Sequence, residues 1–254
     1  PYPGISVLKA DPDPGSGPWL QGGTAYSVPP PLRIAKVWMS GGIGMRLGLA
    51  RLRDTALPMD IVTHEHAGRK LDVWRLNGSS LDLLRCTVEG TVTLPSKQGT
   101  TGNDIQLTVF QSNLREKLVS KVARSWVGYS TLYRSYFENK VEIVGNIFDG
   151  RSLGGIGIDL NGTATDASIH NNQIYKFQKA LTSDSYENCI GIRINGGSKA
   201  IIRNNRINDN VDTHRYGAEF FCGLGIYVKN TTGTRIEGNI ISNNYVQDGL
   251  TYSG

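Results

Sequence analysis

The chain has 254 residues, of which 39% are hydrophobic and 31 are glycine. This composition favours one large all-β domain with frequent turns, and no apolar run approaches the roughly 18 residues that a membrane-spanning helix needs. The formal net charge of +5 favours an anionic partner, but the basic residues are scattered, so a dedicated nucleic-acid surface is not expected.

The first part of the chain predicts an arm and a cap. Residues 1–32 are rich in Pro and Gly and predict an extended arm, and residues 33–39 predict a strand. After a Gly-rich turn, Met45, Leu49 and Leu52 have helical spacing. The glycines of this turn miss the dinucleotide-binding pattern. We therefore expect residues 1–58 to form an arm and a short capping helix that covers the first strands of the fold.

From about residue 59 the chain consists of short apolar alternations, which predict strands. Three early phrases, at 83–88, 109–114 and 132–137, carry Cys86, Ser112 and Ser135 at their fourth position. Residues 115–130 between them are compatible with a short helix or with an irregular insertion.

A clearer form of the same phrase returns four times in the second half of the chain. Each copy begins with Ile, continues with two residues that end in Gly or Asn, and then has a fixed Asn, a free residue and an apolar residue. The fixed residues are Asn146, Asn172, Asn205 and Asn239, which follow one another at intervals of 26, 33 and 34 residues. Asn tolerates a left-handed corner, and stacked Asn side chains can hydrogen-bond along a ladder.

A second phrase, Gly-Ile-x-aliphatic, begins at Gly157, Gly191 and Gly225 with a period of 34 residues. Repeats of this length with three short strands each predict a parallel β-helix. Leucine-rich and all-helical repeats of similar length need a helix in every repeat, and Asn, Gly and β-branched residues are poor helix formers. The predicted fold is therefore an all-β, right-handed, single-stranded parallel β-helix (a β-solenoid) with Asn-ladder corners over residues 59–254, which we expect to be a fragment of a longer chain.

The Asn-cornered repeats resemble the pectate-lyase-like superfamily of right-handed parallel β-helices. That superfamily includes polysaccharide lyases, polygalacturonase-type hydrolases, uronate epimerases and phage tailspikes. The match covers residues 138–254 and extends back towards residue 60. The paired-Asp motifs of the polygalacturonase type are absent, and Asp212-Thr-His214 lacks the proline of the epimerase motif. The resemblance implies the fold and a polysaccharide partner, and it leaves the reaction open.

Alternation within the Gly-Ile strands places two columns of polar side chains outside the core. The first column contains Asp159, Arg193 and Tyr227, and the second contains Asn161, Asn195 and Lys229. An ion pair between Asp159 and Arg193 on a solvated sheet surface is the purely structural alternative.

Two loops, at 176–188 and 209–221, are expected to wall a groove above these columns, because binding groups concentrate in loops on a rigid scaffold. We expect the loops to contribute candidate catalytic and substrate-binding residues: Tyr186, Glu187, His214, Arg215, Tyr216 and Glu219.

Two reactions fit this inventory. A lyase acting on a uronate polymer needs a cation beside the carboxylate, for which Arg193 or Arg215 are candidates, and a base or acid, for which His214 or Tyr227 are candidates. A hydrolase needs two carboxylates that flank the glycosidic bond, and Asp159 with Glu187 or Glu219 would supply them.

We therefore expect an extracellular or virion-surface protein that depolymerises an acidic polysaccharide. The alternative is a non-catalytic glycan-binding adhesin or a structural shaft. Calcium is expected only for a lyase, and His64 and His66 lack a third ligand, so no metal site is assigned. No nucleic-acid partner and no membrane span are expected, and the tailspike branch of the resemblance implies a homotrimer.

Overall fold

The chain is all-β in the part that the structure describes. The computed structural model describes residues 32–35, 44–46, 49–53, 56–57, 60–62, 73–77, 80–88, 90–94, 106–161, 166–178, 189–197, 199–212 and 223–246. The strand pairings of these residues are parallel, and these ranges contain no helix. The chain divides into two compact units, Pro1–Trp126 and Val127–Gly254.

The first unit contains two parallel stacks of strands. Its strands are β1 (Leu32–Ala35), β2 (Gly44–Arg46), β3 (Leu49–Arg53), β4 (Ala56–Leu57), β5 (Asp60–Val62), β6 (Val73–Asn77), β7 (Ser80–Leu84), β8 (Thr87–Val88), β9 (Val92–Leu94), β10 (Gln106–Phe110) and β11 (Asn113–Ser120). One stack has the order β1-β3-β7-β10, and the other has the order β2-β6-β5-β9-β11, to which a short row joins as β4-β8-β11. Alternate side chains such as Leu81, Leu83 and Leu107 are fully buried, as expected for strands with one apolar face.

Two regions of the first unit differ from expectation. Met45, Leu49 and Leu52, whose spacing predicts the capping helix, lie in strands β2 and β3. Apart from strands β1 to β4, the predicted arm and cap lie outside the described residues. Residues 115–130 form neither a helix nor an irregular insertion. They continue β11 as far as Ser120 and include β12, so strand pairing overrides their ambiguous periodicity.

The second unit is built from short strands of a repeating pattern. β12 (Arg124–Gly128) begins before it, and the following strands are β13 (Thr131–Phe137), β14 (Lys140–Val144), β15 (Ile147–Asp149), β16 (Gly155–Asn161), β17 (Ser168–His170), β18 (Gln173–Tyr175), β19 (Cys189–Asn195), β20 (Ile201–Arg203), β21 (Arg206–Asn208), β22 (Val211–Asp212), β23 (Leu224–Lys229), β24 (Arg235–Glu237), β25 (Ile240–Ser242) and β26 (Tyr245–Val246).

Each repeat of the second unit adds one strand to each of three parallel stacks. Stack A has the order β14-β17-β20-β24, stack B the order β15-β18-β21-β25, and stack C the order β13-β16-β19-β23. The predicted phrases lie in register, because Ile143, Ile169, Ile202 and Ile236 are successive partners in stack A. The first three of these isoleucines are fully buried and form part of the core.

The fixed asparagines form a continuous hydrogen-bonded ladder between stacks A and B. The backbone N–H and the Nδ2 of Asn146 both donate to Oδ1 of Asn172, at 2.9 and 3.0 Å. The same two bonds join Asn172 to Asn205 and Asn205 to Asn239. The predicted Asn ladder is therefore present, and it keeps the repeats in register.

The left-handed residue at this corner is the one before the fixed Asn. This position has φ between 47° and 66° in seven successive repeats, at Arg85, Gln111, Tyr129, Gly145, Asn171, Asn204 and Gly238. The tolerance of Asn for left-handed angles thus applies to Asn171 and Asn204, whereas the fixed Asn supplies the ladder.

The early corners are occupied by Cys and Ser. The Cys86 N–H donates to Oγ of Ser112 at 3.0 Å, so both residues occupy the corner, as the early phrases suggest. The third early phrase does not contain a corner: the corner residue is Ser130, five residues before Ser135, and its N–H donates to Oδ1 of Asn146 at 2.9 Å. Ser135 lies instead within β13 of stack C.

A second asparagine ladder follows stack B. The Phe177 N–H donates to Oδ1 of Asn210, and the N–H and Nδ2 of Asn210 donate to Oδ1 of Asn244. The left-handed residues that precede these positions are Lys176 and Asp209, with φ of 59° and 58°. The predicted long loop at 209–221 therefore begins with a corner and with strand β22.

The glycines of the Gly-Ile phrase are required for space. A Cβ at Gly157 would lie 2.8 Å from the carbonyl oxygen of Gly191, and a Cβ at Gly191 would lie 2.7 Å from that of Gly225. The Cβ at Gly191 would also lie 2.5 Å from Cγ2 of the buried Ile207. The close approach of neighbouring repeats thus explains why each phrase begins with Gly.

Candidate functional site

Outer side chains of stack C form two columns across β13, β16, β19 and β23. In the first column Tyr136 is paired with Asp159, Asp159 with Arg193 and Arg193 with Tyr227. Successive positions are about 4.8 Å apart, which is the spacing of hydrogen-bonded strands. The structure thus brings the three residues of the predicted first column together and adds Tyr136 to them.

The second column runs beside the first. Asn161, Asn195 and Lys229 are successive partners in stack C. Glu138 lies just beyond the end of β13, and its Oε1 accepts a hydrogen bond from the Tyr136 hydroxyl. The two columns and Glu138 together form the polar face: Tyr136, Glu138, Asp159, Asn161, Arg193, Asn195, Tyr227 and Lys229.

Asp159 and Arg193 form a two-point ion pair across β16 and β19. Nε of Arg193 donates to Oδ1 of Asp159 at 2.9 Å, and Nη2 donates to Oδ2 at 2.7 Å. Asp159 is only 7% exposed, so it is not the solvated outer carboxylate that strand alternation predicts. The hydrogen bonds from Arg193 to Asp159 raise the pKa of the guanidinium despite its partial burial, so Arg193 stays charged.

Asp159 engages only one edge of the Arg193 guanidinium. The Arg193 side chain is 26% exposed, and its Nη1 makes no hydrogen bond to a described residue. Asp159 fixes the plane of the guanidinium through Nε and Nη2, which leaves a preoriented donor that carries a full positive charge. A planar fork of this kind is suited to a carboxylate.

Tyr136 belongs to a hydrogen-bonded cluster at the β13 end of the polar face. Its hydroxyl donates to Oε1 of Glu138 at 2.8 Å. Burial raises the pKa of Tyr136 to about 12, with further contributions from the hydrogen bond and the charge of Glu138 and from the charge of Asp159, while a hydrogen bond with Asn161 acts in the opposite direction. Tyr136 is therefore a protonated donor at neutral pH.

The loop residues of the predicted site lie outside the described residues. These are Tyr186, Glu187, His214, Arg215, Tyr216 and Glu219. Their placement in a groove above the polar face remains a prediction.

Sequence reasoning missed Tyr136 and Glu138 because the phrase at 132–137 is degenerate. Its resemblance to the Asn phrases does not fix its register, so residues 135–138 could not be aligned with stack C from the sequence. With Ser135 paired to Ile158, Tyr136 falls directly beside Asp159. The available signal was the alternation Ser-Tyr-Phe, which matches Ile-Asp-Leu of the next repeat.

No group of three or more His, Cys, Asp and Glu side chains suited to a metal ion occurs among the described residues. Glu138 and Asp159 offer carboxylate oxygens on the polar face, but both oxygens of Asp159 already accept hydrogen bonds from Arg193. No helix within the described ranges is long and apolar enough to cross a membrane.

Comparison of the chain with protein-family models, with curated proteins and with solved structures gives no match. The chemistry of the polar face is therefore the main basis for a functional conclusion.

Proposed function

We propose that the second unit is a right-handed parallel β-helix of the pectate-lyase-like type and that the chain depolymerises an acidic polysaccharide by β-elimination. The fold proposal is supported by three parallel stacks that share one repeat, by left-handed corners and by the asparagine ladder. An extracellular or virion-surface location and a homotrimer accompany this proposal by resemblance alone.

The observation that carries the functional proposal is the two-point anchoring of Arg193 by Asp159. In β-elimination from a uronate, negative charge develops on the substrate carboxylate as the proton on the neighbouring carbon is removed. A guanidinium already held in place stabilises that charge without reorganising, provided that its free edge contacts the carboxylate. Asp159 is then a positioning residue, and Arg193 contacts the substrate.

Tyr227 is the described candidate for proton transfer. It is the direct partner of Arg193 in stack C, about 4.8 Å away along the column, and its side chain is partly exposed. His214 and Arg215 remain further candidates for base and cation.

Hydrolysis is less well supported by the same geometry. A glycoside hydrolase requires two carboxylates roughly 5–5.5 Å or 6.5–9.5 Å apart, one of which must be protonated or must attack the sugar. Both oxygens of Asp159 already accept hydrogen bonds from Arg193, so this carboxylate is not free to attack the sugar or to donate a proton to it. Glu187 or Glu219 would then need a different partner.

A non-catalytic role has its own supporting observation. Two asparagine ladders and in-register stacking give the second unit a continuous hydrogen-bonded framework, as a fibre shaft or an adhesin requires. The Asp159–Arg193 pair would then simply join two strands.

The test is incubation of the purified chain with a panel of anionic polysaccharides and a neutral control. New ultraviolet absorbance from unsaturated uronate together with new reducing ends is expected. Reducing ends without that absorbance would replace β-elimination by hydrolysis. Binding without any product would support the adhesin, and neither binding nor product with any polymer would support the shaft.

A further inference from the structure

The carboxylates of the polar face are already engaged by neighbouring side chains. Both oxygens of Asp159 accept hydrogen bonds from Arg193, at 2.9 and 2.7 Å. Oε1 of Glu138 accepts a hydrogen bond from the hydroxyl of Tyr136 at 2.8 Å. A calcium ion takes about six to eight oxygen ligands, of which several are normally carboxylate oxygens. The other side chains of the face are amides, phenols and cations, so the face lacks the donor set that calcium prefers.

The charge of the strands that carry this face is also unfavourable for a divalent cation. Among the charged side chains of β13, β16, β19 and β23, Asp159 is the one carboxylate, against three cations: Arg134, Arg193 and Lys229. With Glu138 just beyond β13, three positive and two negative groups leave a net charge of +1. A calcium ion bound to Asp159 would have to displace Arg193 and would then be repelled by the guanidinium on the neighbouring strand. The calcium expected for a lyase therefore does not fit the polar face.

From this donor set we infer that Arg193 supplies the positive charge that calcium would otherwise supply to a lyase, and that the chain binds and cleaves an acidic polysaccharide without a divalent cation. The inference rests on the proposed function, because it assumes that the substrate carboxylate contacts the Arg193 guanidinium. Asp159 holds that guanidinium through two hydrogen bonds, so the charge is in place before the substrate arrives. Unlike a bound ion, this charge does not depend on the calcium concentration of the medium.

The elimination is balanced without a metal ion. A base removes the proton from the carbon beside the carboxylate, and the released electron pair forms the new carbon–carbon double bond. The bond from the next carbon to the glycosidic oxygen breaks, and that oxygen takes up a proton. Arg193 exchanges no proton in these steps, because a guanidinium stays protonated in proteins. It stabilises the negative charge that develops on the substrate carboxylate.

The experiment compares the unmodified chain in two buffers, one with EDTA and one with EDTA that is saturated by an excess of calcium chloride. The ionic strength is kept equal, because salt screens charge interactions. The polymers are hyaluronan, chondroitin sulfate and short polygalacturonate chains. Binding is measured by affinity electrophoresis, and cleavage is measured by the absorbance of unsaturated uronate. We expect affinity and rate to agree within about twofold between the buffers, whereas removal of a required charge-stabilising group would lower the rate by about a hundredfold.

The two ways in which this expectation can fail are distinguishable. Cleavage or binding that is lost in EDTA and present with calcium would overturn the inference and leave the proposed function standing, because product would still form with the metal. Formation of no unsaturated uronate from any of the three polymers in either buffer would overturn the proposed function itself, and the inference with it.

Discussion

Replacement of Asn205 by Ala tests the asparagine ladder at its centre. Oδ1 of Asn205 accepts from the N–H and from Nδ2 of Asn172, at 3.0 and 2.9 Å. Its Nδ2 donates to the carbonyl oxygen of Ile169 at 3.0 Å and to Oδ1 of Asn239 at 2.9 Å. Ala removes all four bonds from a residue that is only 1% exposed.

The expected loss of stability follows from the groups that are left behind. The buried N–H of Asn172 loses its acceptor, which costs about 1–3 kcal/mol. Nδ2 of Asn172 keeps its bonds to the carbonyls of Ile143 and His170, so it adds little. The two bonds lost by Nδ2 of Asn205 contribute about 1 kcal/mol each. The free energy of unfolding should therefore fall by about 3–5 kcal/mol.

Asn205→Ser is the matched control that the chain itself suggests. At an equivalent corner, Oγ of Ser112 accepts the Cys86 N–H at 3.0 Å. Serine should therefore preserve the bond to the Asn172 N–H and limit the loss to about half that of alanine. Guanidinium denaturation followed by far-ultraviolet circular dichroism measures both variants, and hydrogen exchange reports the Asn172 amide. Equal losses for Ala and Ser, or losses below about 0.5 kcal/mol for both, would refute the ladder argument.

Three further predictions concern the stacks and the polar face. Gly191→Ala should lower the free energy of unfolding by about 2–3 kcal/mol, because the new Cβ would press on the buried Ile207 and on a backbone carbonyl. Gly225→Ala should lower it less, because the new Cβ there meets the exposed Ile241. Equal losses in chemical denaturation would contradict the packing argument. Arg193→Met should lower the free energy of unfolding by about 1–3 kcal/mol, because it leaves Asp159 buried without its partner. Much of this loss should vanish in the double variant that also carries Asp159→Asn. Additive losses of the two single variants would show that the two side chains are not coupled. The pKa of Tyr136 should be about 12 in a tyrosinate absorbance titration, and comparison with Tyr136→Phe identifies its signal. Because this pKa is raised above the ordinary value of 10.0, the protonated phenol contributes its full stability below about pH 10, and this contribution is lost as the pH rises through about 12. Titration of Tyr136 near pH 10 would contradict the hydrogen-bonded cluster.

The parallel stacks of the second unit could be predicted because their signal is local and periodic. Each fixed Asn has an isoleucine three residues before it and an apolar residue two residues after it, and the tight corner fixes this spacing in the sequence. The outer column of Asp159, Arg193 and Tyr227 followed from strand alternation once the Gly-Ile phrases had been aligned.

The early repeats were harder to align because their corners lack the usual residues. Arg85, Gln111 and Tyr129 adopt left-handed angles there without the Gly or Asn that normally marks such a turn. The hydroxyl of Ser130 replaces the ladder amide, and Ser135 lies at a similar position between apolar residues. Two serines with similar neighbours cannot be distinguished without the strand partners.

The burial of Asp159 could not be predicted either. Alternation places its side chain outside the core, but the exposure depends on how the long side chain of Arg193 folds over it. Side-chain conformations of this kind are decided by partners that are 34 residues apart in the chain. The ion pair was foreseeable as an alternative, and its two-point geometry was not.

The central claim is that Arg193 neutralises a substrate carboxylate on the polar face, and comparison of Arg193→Ala with Arg203→Ala tests it most directly. Arg203 is an exposed arginine on stack A, away from the polar face, so it is a control for the loss of positive charge. Release of unsaturated uronate from an acidic polysaccharide should fall by at least about a hundredfold in Arg193→Ala, since one charge-stabilising donor is worth about that much, and should stay unchanged in Arg203→Ala. Circular dichroism must show that both variants are folded. Equal activities of the two folded variants would contradict the claim.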